Sequence, residues 1–440
     1  MLGFQIKLGF LVINKRKLSE IRKKIEKGSA VVITVQELID RINDGEKVKF
    51  EDVDIVTTAT KALMSGIMGI FSFRLSPPKT LRKFTEVQIN GIPTFPGPCP
   101  NEYLGIVDLI IYGTAQSQTI ENYCGGSLFR EMVEGKSVNI SAKSAEGETI
   151  EKEMKLEDMQ FAKLMGTRQA IKNYNAMINC ESYQVDTIFS CLPFEPNKSE
   201  LTFSGCGALN PFQNDPEFES LGVGLPILVN GNIGHLIGPG TRNYIAKPNM
   251  MTMAPMQGMK PEYMGAFKTS YGLEPICSIA IPIPILNENI FNNIVKSDKE
   301  VPLTILSLVG REKVGEITYG DVWDNNFLMK FNPDACENCE ECKAIDKCPT
   351  NAFIVKNGLI TAIDRSRCFN CGNCTHLCPE AFNLDLNKIN FEGSELPIVL
   401  RQSDRYGAIK LAEQLKSMIL KGDFPLRKPI SKLQFAEEVK

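Results

Sequence analysis

Two cysteine runs near the C-terminal end limit what this chain can fold into. Cys336, Cys339, Cys342 and Cys348 form the first, and Pro349 follows its last member. Cys368, Cys371, Cys374 and Cys378 form the second, closed by Pro379. Together they hold eight of the chain's 14 cysteines. Three thiolates on one tight loop can wrap three corners of a compact inorganic core. The fourth must come from elsewhere, and the proline ends the loop. Zinc is the competing reading: C-x2-C pairs alone suit a zinc ribbon, but C-x2-C-x2-C with a distant C-P fits one tetrahedral ion poorly.

The spacing is that of C-x2-C-x2-C-x3-C-P ligation of [4Fe–4S] clusters, where the fourth cysteine of each run serves the other cluster. One set is then Cys336, Cys339, Cys342 and Cys378, the other Cys368, Cys371, Cys374 and Cys348. The first run departs from the pattern, with five residues rather than three between Cys342 and Cys348. Between the runs, Ala352–Val355 and Leu359–Ile363 flank Asn357-Gly358, which predicts a hairpin.

A length of 440 residues predicts two or three domains. A net charge of −3 offers no bulk attraction to nucleic acid or anionic membrane. The two histidines, His235 and His376, argue against histidine triads and polyhistidine metal sites. Fourteen cysteines alongside a cluster module point to a reducing, anaerobic cytoplasm rather than to disulfides. Met1–Asn14 runs into Lys15-Arg16-Lys17 without a small-residue cleavage site, so it reads as a poorly ordered extension and not a signal peptide. No apolar stretch of about 18 residues exists to span a membrane.

Short strands and helices alternate along residues 15–330, which argues for an α/β or α+β domain. Leu18, Ile21 and Ile25 mark a helix ending at Gly28, and Thr34 with Glu37 forms a capping box. A strand over Val53–Thr57 leads into the small-residue turn Met64-Ser65-Gly66, a place where such folds put sites, and equally an ordinary strand-to-helix connection. A helix is expected from near Glu121, carrying Cys124-Gly125-Gly126, and another over Asp158–Ala170. Asn230-Gly231 predicts a hairpin, Met250–Met264 reads as flexible core packing, and Ile279–Leu286 as a buried or edge strand. Residues 331–394 form the small inserted cluster domain. Residues 395–440 supply a strand and a helix, stopped by Gly422, that close the main domain.

Outside the module, Cys99, Cys124, Cys191 and Cys206 sit beside prolines, glycines or small residues, where a thiolate can face a cleft. Cys180 and Cys277 have apolar neighbours and read as packing. Converging loop thiolates would hold a third [4Fe–4S] cluster with one open iron; alternatively, one would carry persulfide sulfur. Arg242, after Gly238-Pro239-Gly240-Thr241, and Arg401 with Arg405 are candidate carboxylate clamps. Asn210, Asn214 and Asp215 make a polar loop beside Cys206.

Several stretches resemble the archaeal homocysteine-biosynthesis family, also called domain-of-unknown-function 39. They are Ser204-Gly205-Cys206-Gly207-Ala208-Leu209-Asn210-Pro211-Phe212-Gln213-Asn214-Asp215-Pro216, Gly231–Arg242, Met259-Lys260-Pro261-Glu262-Tyr263, Pro282–Asn287 and Arg401-Gln402-Ser403-Asp404-Arg405. With its fused bacterial-type ferredoxin module, the chain is similar to the methanogenesis marker 16 branch. The resemblance implies L-aspartate semialdehyde sulfurtransferase-like chemistry: reduced sulfur enters a small aldehyde-acid, with electrons from the module. It also implies a small-molecule substrate, a sulfide donor and an external low-potential electron donor as partners, with self-association an option. The sulfurtransferase branch carries cysteines at the turn matching Met64-Ser65-Gly66 and near Ala145–Glu148, and this chain does not. Cys124 and Cys206 are its leading thiolate candidates. The alternative is a methanogen redox or metallocofactor-assembly protein that delivers electrons or sulfur to a partner.

Overall fold

The computed structural model describes residues 15–97, 102–172, 174–323, 327–337 and 339–436. The fold is mixed α/β, mostly strands with few helices. The N-terminal extension and Cys99 lie outside the described residues.

Two sheets carry the main body. The larger has eleven strands, and toward one end of it Leu273–Pro284 runs antiparallel to Ile55–Leu63 over nine residue pairs. All twelve residues of Leu273–Pro284 are buried, so it is an interior strand, despite three prolines. It also pairs with Gly265–Lys268 through Leu273–Ile276 and with Pro226–Val229 through Ile279 and Ala280 alone. Beyond that ladder, Pro282 and Pro284 need offer no donor on that flank. The smaller sheet has six strands and includes Ala176–Ile178, Leu201–Phe203 and Ser394–Arg401. Ser394–Arg401 pairs parallel with Leu201–Phe203, so the chain leaves the body to build the module and then returns to complete a sheet.

The helix Arg405–Lys421 packs on Ile55–Leu63 and Leu273–Pro284, and Thr57 Oγ1 donates to the Ala412 carbonyl at 2.9 Å. Asp404 caps its first turn and Gly422, at φ 79°, ends it. The Thr34–Glu37 capping box is present. Both hairpins form, with Asn230-Gly231 and Asn357-Gly358 at positive φ. Met250, Met256, Met259 and Met264 are buried in the core.

Two expected helices are different. Asp158–Ala170 is mainly the strand Phe161–Gln169, paired on both sides. Its burial alternates, with Ala162, Leu164 and Gly166 inward, and a period of two fits a ladder and not a helix. The other helix begins at Gly125, leaving Cys124 as its N-cap. Its glycines allow close approach: a Cβ at Gly125 would collide with the Tyr112 carbonyl oxygen, and one at Gly126 with that of Gly265. The Met64-Ser65-Gly66 turn connects to a strand, Ile67–Arg74, and not to a helix.

Candidate functional site

A cavity of about 200 Å³ opens beside the Met64-Ser65-Gly66 turn. That is below the 300–1,000 Å³ typical of drug-sized ligands, so it suits a small metabolite. Ser65, Arg168, Glu274, Ser204 and Gln402 give it a polar wall, and Met177, Ile188 and Phe189 an apolar one. The polar wall is held from behind. Ser204 Oγ donates to Gln402 Oε1 at 2.8 Å, and Gln402 Nε2 to the Ile188 carbonyl at 2.7 Å. Tyr319 OH donates to the Ser204 carbonyl at 2.8 Å.

Glu274 is the unusual member. It is 8% exposed, and its Oε2 finds no hydrogen-bond partner among the described residues. Burial holds its carboxyl above the ordinary range, against the opposing pull of the Ser65 hydroxyl and the Arg168 charge. A buried, half-satisfied acid near an arginine can bind an ammonium or give a proton, while the guanidinium takes a carboxylate. Neither residue stands out in sequence. Arg168 was hidden in a stretch that reads as helix. Glu274 carried one signal, a lone acid in an otherwise apolar run.

The cysteine module lies against this region. Cys348 is close enough to Cys368, Cys371 and Cys374 for their charges to oppose one another, and Cys378 stands likewise with Cys336 and Cys339. The fold therefore brings each fourth cysteine to the other run's triplet. Eight soft thiolates in two crossed sets fit iron–sulfur ligation. The two sets differ in depth: Cys339 is exposed, whereas Cys348 and Cys371 are buried at the body.

Cys191, two residues beyond the cavity wall at Phe189, packs with Cys371, Phe369 and Leu400. Burial pushes its thiol well up, and neighbouring Cys348 and Cys374 add to the shift. Cys206 is fully buried, takes a hydrogen bond from Thr60 Oγ1 at 3.6 Å and lies 3.9 Å from the Lys61 carbonyl. Cys124 is buried at its helix N-terminus, near enough to Glu274 for the charge to matter. Burial raises both thiols, so neither is the exposed, electropositive kind that reacts readily. These thiols face different partners. Cys180 is half-buried against the core, and Cys277 accepts from Gln169 Nε2 at 3.2 Å.

The expected substrate-binding residues, Arg242, Asn210, Asn214, Asp215, Arg401 and Arg405, lie off the cavity wall. Asn210 caps Phe212, Asn214 Nδ2 donates to the carbonyls of Ala208 and Asn210, and Asp215 collects the backbone of Glu219, Ser220 and Leu221. Their polar atoms knit their own loop. Arg401 is buried over Trp323 and donates to the Asp385 carbonyl, and Arg405 pairs with Asp298 at 2.6 Å. Arg242 is exposed on the turn after the strand Asn232–Pro239, at φ 54°.

A family model described as homocysteine biosynthesis enzyme, sulfur-incorporation, matches residues 30–426. This chain belongs to that family. It is 39% identical over 411 residues to an uncharacterized protein of Methanothermobacter thermautotrophicus, covering 93% of this chain and 94% of the relative. It is 32% identical over 311 residues to the L-aspartate semialdehyde sulfurtransferase of Methanocaldococcus jannaschii, covering 66% of this chain and 58% of that enzyme. A ferredoxin-like protein of Escherichia coli is 34% identical over 56 residues, 13% of this chain and 25% of that protein. The C-terminal region is thus ferredoxin-like and iron–sulfur-binding, attached to a sulfur-incorporating enzyme body. No solved structure matches. No helix among the described residues is long and apolar enough to cross a membrane.

Proposed function

We propose that this protein is an iron–sulfur sulfurtransferase/reductase that builds reduced sulfur into a small aldehyde-acid of the aspartate semialdehyde type. Two [4Fe–4S] clusters, on the crossed cysteine sets, would supply single electrons when bound. The reading is carried by one observation: the cavity holding Arg168 and Glu274 has a wall that leads within two residues to Cys191, which packs against Cys371 of the buried cysteine set.

In the overall change one aldehyde and one hydrogen sulfide take up two electrons and two protons, giving one primary thiol and one water. The carbon–oxygen double bond is lost, a carbon–sulfur single bond forms, and the former aldehyde carbon ends as a methylene. Arg168 holds the substrate carboxylate and fixes which end faces the cysteine module. Sulfide adds to the aldehyde carbon, and Glu274, whose protonated form burial favours, gives its proton to the oxygen that leaves as water. The apolar side, with Ile188 and Phe189, limits competing water at the thioaldehyde-level carbon before two electrons and two protons complete the thiol. Exposed Cys339 lies on the set facing an external donor, and Cys371 on the set facing the cavity.

The test is anaerobic. Reconstituted protein is given aspartate semialdehyde, sulfide and a low-potential reductant, and homocysteine is measured. Reductant-dependent thiol formation that falls in Arg168→Ala supports the reading. Absence of thiol product in protein that carries both clusters overturns it.

A further inference from the structure

Lys61 and Asp404 form an ion pair, 2.8 Å between Nζ and Oδ2, whose side chains are only 7% and 2% exposed. Lys61 Nζ also donates to the Glu262 carbonyl at 2.8 Å and stands 5.7 Å from the centroid of the Phe369 ring. Asp404 Oδ1 accepts from Gly407 N and from Asn370 Nδ2, both at 3.0 Å. Asn370 Oδ1 in turn lies 3.8 Å from Cys368 Sγ. A cavity of about 80 Å³ touches Lys61, Asp404, Asn370 and Cys368 together. Three separate segments therefore meet at one ligand of the buried cysteine set: an interior strand, the cap of the C-terminal helix, and the module's second loop.

Stability does not account for this arrangement. A pair this deep is about as stable as, or less stable than, well-packed apolar replacements. Its charges act instead on what lies beside them. Reducing a cluster adds a negative charge, which a nearby cation favours and a nearby anion opposes, and both effects are larger in a low-dielectric interior.

We propose that Lys61 and Asp404, linked through Asn370, set the reduction potential of the cluster held by Cys348, Cys368, Cys371 and Cys374. This rests on the two-cluster reading above. The pair is neutral as a whole, so removing either charge unbalances the site in opposite senses. Lys61 and Asp404 are positioning residues that need not touch substrate.

The experiment is a potentiometric titration of the full chain followed by EPR, in wild type, Lys61→Gln, Asp404→Asn and the double variant. Both replacements keep hydrogen-bonding groups, and asparagine keeps the helix cap. Lys61→Gln should move one midpoint to more negative potential and Asp404→Asn the same midpoint to more positive. The double variant should return toward wild type, with the second cluster unmoved throughout. Should Lys61→Gln not fold, Lys61→Arg, with an unmoved midpoint, and Asp404→Asn carry the test. Shifts of one sign in both single variants, no shift, or equal shifts of both clusters overturn the proposal. Wild-type protein lacking iron and EPR signals would instead sink the two-cluster reading itself.

Discussion

Arg130 grips Ser366 twice: Nη1 donates to its carbonyl and Nη2 to its Oγ, each at 3.0 Å. The same Nη1 reaches the carbonyls of Pro261 and Met264, and Nε pairs with Glu134 at 2.7 Å. Glu134 also takes Arg367 of the module at 3.2 Å. One guanidinium on the helix capped by Cys124 thus fastens the cysteine loops to the large sheet. Arg130→Ala leaves the buried carbonyls of Pro261, Met264 and Ser366 without their charged donor, at a cost of about 1–3 kcal/mol, while Glu134 keeps Arg367 and Lys136. Thermal unfolding followed by cluster absorbance and by far-UV CD should show the module's transition moving to lower temperature than the body's.

Crossed ligation, as proposed, would make each set separately removable. Iron should fall from about eight to about four per chain in Cys371→Ala and likewise in Cys339→Ala, with acid-labile sulfide in step. About twelve irons in the wild type would show a third cluster, for which the separate surroundings of Cys124, Cys191 and Cys206 make no provision.

Arg168 is expected to act on substrate affinity through its charge. Losing a charge-assisted hydrogen bond to a carboxylate costs about 1.5–3 kcal/mol, so kcat/KM should drop by roughly 10- to 150-fold in Arg168→Ala. Iron content and EPR spectra should stay as in the wild type. Steady-state kinetics on matched, reconstituted samples checks both.

Glu274 gives a pH signature. Burial raises its carboxyl above the ordinary 4.5, so the folded state favours the protonated form. The stability it contributes is complete below that ordinary value and is lost as pH rises through the raised one. Glu274→Gln, which stays neutral, should therefore match wild type in acid and exceed it in Tm at neutral pH. Scanning calorimetry of the ligand-free protein across that window measures the difference. Water loss from the substrate should weaken in the same variant, because no proton is then available.

The sequence disclosed the parts whose spacing is enforced by covalent or backbone geometry. Asn230-Gly231, Asn357-Gly358, the Thr34–Glu37 box and Gly422 all carry local rules, and the chain obeys them. Phe161–Gln169 did not announce itself, because alanine, leucine and methionine suit a helix until two neighbouring strands supply a ladder. The cavity was legible only as the Met64-Ser65-Gly66 turn and the Ser204 loop. Arg168 and Glu274 come from distant strands, and no local pattern reports that a tertiary fold will set them beside one another. Asn210, Asn214 and Asp215 show the reverse: a dense polar loop whose groups serve mainly to hold it together.

The return of the chain through Ser394–Arg401 into the smaller sheet has a kinetic consequence. In the electron-carrying role proposed above, a module flanked on both sides by strands and helices of the body could not diffuse away, and delivery of electrons would be first-order in the single chain. Turnover per molecule should then persist on dilution to concentrations at which a separate carrier and enzyme would no longer meet.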